Sequence, residues 1–274
     1  MHETFHDYLS KFVASMPLEY RERYDARAIA EHAGFARART GRVGVGTFQS
    51  PAHKGLPLCV VADDAPGLLS RISAALVLSK LDVMHAEAYC RELDTGIDEA
   101  VDLFWVRRFD DHREPARLGP ETVASFRSVL VVLMDGTFAR DALVEHMLDA
   151  PESFGFSGTR LRFVYDDRGF IAALDVETAD RPGLLFALSD ALFAQRLMIV
   201  RSEIRTVGAR VFDRFYFREL GGGPVSQERQ AAIQAEVQAA LRPPPRAGTG
   251  ADNGSAEFDT GLPRITVSSF KNTS

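Results

Sequence analysis

Two copies of one α+β module behind a helical arm make up the fold that this 274-residue sequence predicts. Three observations carry that reading. Residues 64–83, DAPGLLSRISAALVLSKLDV, and residues 180–199, DRPGLLFALSDALFAQRLMI, coincide at nine of twenty positions at an offset of 116, without a gap. Around each copy, short apolar runs and runs of helical spacing follow the same order, β-α-β-β-α. Residues 5–40 read as helix alone.

The arm begins with FHDYLSKFVASM, which sets Phe5, Leu9, Phe12, Val13 and Met16 at helical spacing. Pro17 interrupts it, Asp25 offers an N-cap for a second helical stretch, and Gly34 is expected to break that stretch. The first copy reads as strand 56–63, a turn at Asp64-Ala65-Pro66-Gly67, a helix from Leu68, strands 81–92 and 100–108, and a helix over 120–134. The second reads as strand 170–179, a turn at Asp180-Arg181-Pro182-Gly183, a helix, two strands around a turn at Gly208, and a helix over 226–241. By the third strand the offset falls to 111, where Asp102-Leu103-Phe104-Trp105 meets Asp213-Arg214-Phe215-Tyr216. Trp105 and Tyr216 are read as core aromatics.

The strand-helix order is that of a ferredoxin-like βαββαβ sheet, whose fourth strand lies antiparallel beside the first. Each copy has a strand-like run just upstream, 42–48 and 160–165, that is expected to fill that edge. A third such run, 264–270, follows a Pro- and Gly-rich stretch over 242–263 that reads as a flexible linker. The expected divisions are a helical arm over 1–40, modules over 41–150 and 151–242, and a flexible tail over 243–274.

Composition narrows the function. The net charge is −6 and no Lys or Arg run stands out, which argues against nucleic acid and anionic membrane as partners. No apolar stretch has the length of a membrane span, and the N-terminus lacks the layout of a signal peptide, so a cytoplasmic protein is expected. Cys59 and Cys90 sit in apolar runs without a CxxC spacing and read as reduced core thiols. The seven histidines are scattered, and the His6-Asp7 and Asp111-His112 dipeptides stand alone. No catalytic triad, metal set or cofactor motif is expected, and His85 reads as a satisfied polar core residue.

The repeated turn is the candidate site. Pro66 and Pro182 suit a first helical position, and Gly67 and Gly183 allow close backbone approach. Amides at a helix start favour a carboxylate, while Asp64 and Asp180 could hold an ammonium group. Together they match the two charged ends of a free amino acid. The same residues also make a good cap and turn with no ligand at all.

DAPGLL and DRPGLL, with the helix and strands that follow, resemble ACT domains over about 56–134 and 160–241. That resemblance implies ferredoxin-like regulatory modules that bind amino acids between modules. The pair further resembles the C-terminal region of the uridylyltransferase/uridylyl-removing family that modifies the PII nitrogen signalling protein. Met16, Pro17, Tyr20, Ile29 and His32 match that family's linker, and Asp213-Arg214-Phe215-Tyr216 its second module. The first copy departs from the pattern with Ala65 in place of Arg, so the second site, with Arg181, is expected to be better formed. No nucleotidyltransferase motif is read here. The resemblance therefore implies a non-catalytic sensor, with glutamine the first ligand to test and a protein partner or homodimer through the arm. The expected ligand residues are Asp64, Ala65, Pro66, Gly67, Leu68 and Leu69, and Asp180, Arg181, Pro182, Gly183, Leu184 and Leu185, completed by strands Val83–Glu87 and Ile199–Glu203. The rival readings are a transferase-related protein acting with a nucleotidyltransferase, and an interaction module without ligand.

Overall fold

The computed structural model describes residues 3–50, 53–93, 96–108, 118–135 and 158–242. The expected flexible tail with its terminal strand, the Asp111-His112 dipeptide and nearly all of the connection between modules lie outside them. The arm comprises α1 (Phe5–Ser15), α2 (Leu18–Arg23) and α3 (Ala26–Ala38). Module 1 follows as β1 (Val43–Gly46), β2 (Leu56–Asp63), α4 (Leu68–Leu78), β3 (Leu81–Arg91), β4 (Glu99–Arg108) and α5 (Pro120–Asp135). Module 2 is β5 (Arg160–Tyr165), β6 (Ile171–Ala179), α6 (Leu184–Ala194), β7 (Leu197–Val207), β8 (Arg210–Glu219) and α7 (Gln230–Leu241).

All eight strands form one sheet, in the order β1-β2-β4-β3-β7-β8-β6-β5, and every pairing is antiparallel. Each module is thus a ferredoxin-like sheet whose edge strand comes from upstream, as the sequence predicted. The modules join through β3 and β7. Glu87 lies opposite Glu203, and His85 opposite Arg205. Because the repeat offset is 116, Glu87 faces its own counterpart, so an approximate two-fold axis passes through this pair. Lys80 and Arg196, also counterparts, both adopt left-handed backbone just after their helices, with φ of 56° and 57°.

One face of the sheet carries α4, α5, α6 and α7 over a continuous apolar core that runs through both modules. The other face differs between them. In module 1 it presents Cys59, Val61, Tyr89, Val101, Leu103 and Trp105, and the arm covers it with Phe12, Met16, Tyr20, Ile29, Ala33 and Ala36. In module 2 the counterparts of Cys59, Val61, Val101, Leu103 and Trp105 are Asp175, Glu177, Phe212, Arg214 and Tyr216. Trp105 is fully buried. Tyr216 is not the core residue the sequence reading made it: it is half-buried, with the Arg201 guanidinium 4.9 Å from its ring. A face largely of charged side chains gives an apolar arm little to bury, and among the described residues only module 1 has one.

The arm's helices start where their caps dictate. Thr4 and Asp7 form a capping box on α1, which accounts for the Asp of the His6-Asp7 dipeptide. The Asp25 side chain accepts from the Ala28 amide at 2.8 Å and caps α3. Gly34 does not break that helix. Buried Ala33 and Ala36 hold the turn against the sheet, and packing outweighs the low helix propensity of glycine. Gly46 is where a glycine is required: a Cβ there would lie 2.1 Å from the Phe35 ring.

His32 is buried beneath the arm, its Nδ1 2.8 Å from the Tyr20 hydroxyl. Burial lowers its pKa from 6.5 to about 4. The folded chain therefore binds fewer protons than the unfolded chain between those values, and stability falls as pH drops through that window. His53, held at about 4 by burial first and by the His85 ring second, adds to the fall. The thermal midpoint is expected to drop between pH 7 and pH 4.5, and less steeply in His32→Gln. Equal slopes for the two proteins would remove His32 as a cause.

Candidate functional site

In both modules the first core strand ends in a turn whose glycine caps the following helix. Gly67 and Gly183 are the N-caps, in left-handed backbone with φ of 75° and 71°. Pro66 and Pro182 therefore sit one residue ahead of the cap and not at the first helical position. The reason is the turn: the Leu68 amide donates to the Ala65 carbonyl at 3.0 Å and the Leu184 amide to the Arg181 carbonyl at 3.2 Å. Those two amides close the turn. By helix geometry the next ones, of Leu69 and Leu185, have no acceptor one helical turn back inside the helix.

Each elbow opens on a cavity shared by the two modules. The first lies among Asp64, Gly67, Leu69, Cys90 and Asp102 of module 1 and Phe193 and Ile199 of module 2. The second lies among Asp180, Arg181, Gly183 and Asp213 of module 2 and Val77, Asp82 and Val83 of module 1. They offer about 30 Å³ and 20 Å³ to the centre of a water-sized sphere. One water needs ~10–15 Å³ by that measure. Each therefore holds a few waters at most, and anything larger must widen it. Of the strands expected to complete the site, Val83 and Ile199 line a cavity. Glu87 and Glu203 lie on the opposite face of the sheet, because a register shift after Val83 in β3 and after Ile199 in β7 inserts one extra residue and reverses the alternation.

The acids of the two turns already have partners. The Cys90 thiol donates to Asp64 at 3.2 Å. Asp180 bonds Arg107 of module 1 at 3.3 Å. Burial raises both carboxyls, and the Arg107 guanidinium opposes the rise at Asp180. Arg181 lines the second cavity while its guanidinium donates to the Ala240 carbonyl at 2.9 Å, near the end of α7. Cys59 and Cys90 are both free thiols, but Cys90 is only partly buried.

The sequence reading missed Asp102 and Asp213. Each is 3% exposed, on the helix-covered face of its module's third core strand, and each lines its module's cavity. Burial pushes both carboxyls well above the ordinary range. No hydrogen bond of ordinary geometry reaches either oxygen of Asp213, although the nearby Arg205 amide opposes the rise. The signal was available: an acid at matching places inside two apolar strands, DLFW and DRFY.

The covered face holds a second polar cluster around Glu87. Tyr24 and Tyr89 donate to its Oε2 at 2.6 and 2.7 Å, and Arg23 and His85 reach its Oε1 at 2.6 and 2.8 Å. Burial alone would raise this carboxyl, but the donors outweigh it and hold it at about 2. His53 stacks on His85 with ring centroids 3.6 Å apart. Ligand atoms of His53, His85 and Glu87 lie within 4.8 Å of one another, as do those of Asp64, Cys90 and Asp98. Arg23 already supplies a cation to the first group. Among the described residues, no helix is long and apolar enough to cross a membrane.

A Cβ added at Gly67 would stand 3.0 Å from the Phe193 ring. Gly67→Ala is therefore expected to lower stability by about 1–2 kcal/mol from backbone strain, plus the cost of moving Phe193. Gly96→Ala, at φ 76° with open space around it, carries the strain alone. Denaturant midpoints are expected to fall further for Gly67→Ala than for Gly96→Ala. Equal falls would show that Phe193 does not press on the elbow.

No protein-family model matches the chain. A solved structure titled aspartate kinase from Synechocystis aligns at TM-score 0.35 and 13% identity, over 68% of this chain and 27% of that one, too loosely to carry weight. Curated relatives named bifunctional uridylyltransferase/uridylyl-removing enzyme match much of the chain. The Ruegeria pomeroyi protein is 29% identical over 67% of it, and the Rhodospirillum rubrum protein 26% identical over 92%. The chain spans 20% and 28% of those two relatives. It is thus a tandem pair of ferredoxin-like modules similar to one part of that enzyme.

Proposed function

We propose that this pair is a cytosolic, non-catalytic regulatory sensor that binds a free amino acid, with glutamine the first ligand to test. The reading rests above all on one observation: each glycine elbow opens on a cavity whose walls come from both modules. A ligand there touches the helix start of one module and a strand of the other, so its binding energy depends on how the modules pack. The cavities are small, and a ligand must displace Phe193 or part the modules to enter. Binding thereby favours one packing over another, and a protein partner or a second copy reads the result. The resemblance to the family that modifies the PII nitrogen signalling protein supports a link to nitrogen signalling. The arm's apolar face is buried on module 1, so a partner that docks on the arm meets its outer surface.

Calorimetry of the whole chain against the twenty amino acids at millimolar concentration tests the proposal. Heat is expected for at least one of them, at one or two sites per chain. Silence from all twenty would leave an interaction module without a ligand.

A further inference from the structure

Asp102 and Asp213 sit at equivalent ladder positions. Asp102 lies between Val60 and Ala88, Asp213 between Val176 and Ile204, and both pairs of neighbours are repeat counterparts. Along their own strands they stand between buried apolar residues, Ala100 and Phe104 in one case and Val211 and Phe215 in the other. A carboxyl in such a row is costly unless something bonds to it. At Asp213 no hydrogen bond of ordinary geometry reaches either buried oxygen, and the nearby Arg205 amide only partly offsets the burial. A buried carboxyl thus recurs at matching places, each time on the wall of an inter-module cavity.

The opposite wall of each cavity is the start of α4 or α6, where backbone amides and the helix dipole favour a carboxylate. A cavity with amides on one side and a buried acid on the other is complementary to a zwitterion. The acids of the turns fit the ammonium role less well, because Asp180 is held by Arg107 and Asp64 by the Cys90 thiol. We propose that Asp102 and Asp213 receive the ligand's ammonium group, one in each inter-module cavity. This rests on the amino-acid reading above, and assigns the ammonium to the third core strand and not to the repeated turn.

The test compares L-glutamine with 4-carbamoylbutanoate, which is the same molecule without its α-ammonium. Calorimetry on the unaltered chain is expected to show at least tenfold weaker binding of the desamino compound. Asp102→Asn/Asp213→Asn is expected to keep a thermal midpoint at or above that of the parent, since an amide of the same shape ends the burial of an acid. It should bind L-glutamine at least tenfold more weakly. Should another amino acid of the panel bind instead, it and its desamino counterpart take the place of this pair. Equal affinity for both compounds, or parental affinity in the double variant, overturns the assignment while leaving the sensor reading intact. A parent chain that binds no amino acid overturns both. The comparison of the two compounds needs no variant to fold.

Discussion

The pairing of β3 with β7 is the constraint on which the rest depends. It fuses two four-stranded sheets into one and sets the modules about an axis through Glu87 and Glu203. Two like carboxylates facing each other across a ladder repel. The repulsion is met on both sides: Arg23 from the arm lies on Glu87, and Arg201 on Glu203. Arg201 also reaches Glu19 of the arm at 3.3 Å. The arm therefore supports the seam as well as covering module 1. It supplies one of the two cations, Arg23, that let the axis residues lie together.

The same seam creates the cavities. With β3 beside β7, α4 comes to lie against α6, and each elbow faces the opposite module. The Ser70 hydroxyl bonds Asp190 of α6 at 3.3 Å, a polar link across this helix layer. Shared cavities follow from this arrangement and not from any property of the elbow alone. An isolated module would have the same Asp-x-Pro-Gly turn and only half of the walls.

Much of this was legible in the sequence, because duplication makes local signals count twice. A turn followed by Leu-Leu, at an offset of 116, fixes both first helices, and the upstream runs at 42–48 and 160–165 fall where the edge strands are observed. Side-chain commitments were not legible. Arg181 looked like a ligand residue, yet its guanidinium bonds the Ala240 carbonyl, 59 residues away in sequence. Asp180 looked available, and Arg107 of the other module holds it. Gly34 looked like a break, because propensity is local and the packing that overrides it is not. The difference between the two outer faces could have been read from Cys59 and Val61 set against Asp175 and Glu177, but only once the strands had been aligned as counterparts.

Amide hydrogen exchange at the seam tests most directly whether one sheet spans both modules. Residues 85–88 and 202–205 form the β3–β7 ladder. In the unliganded chain their protection is expected to approach that of β4, which has a partner on each side. Rapid exchange of those among these amides that point across the seam, beside slow exchange in β4 and β8, would mean that the modules fold separately and that the shared cavities do not exist.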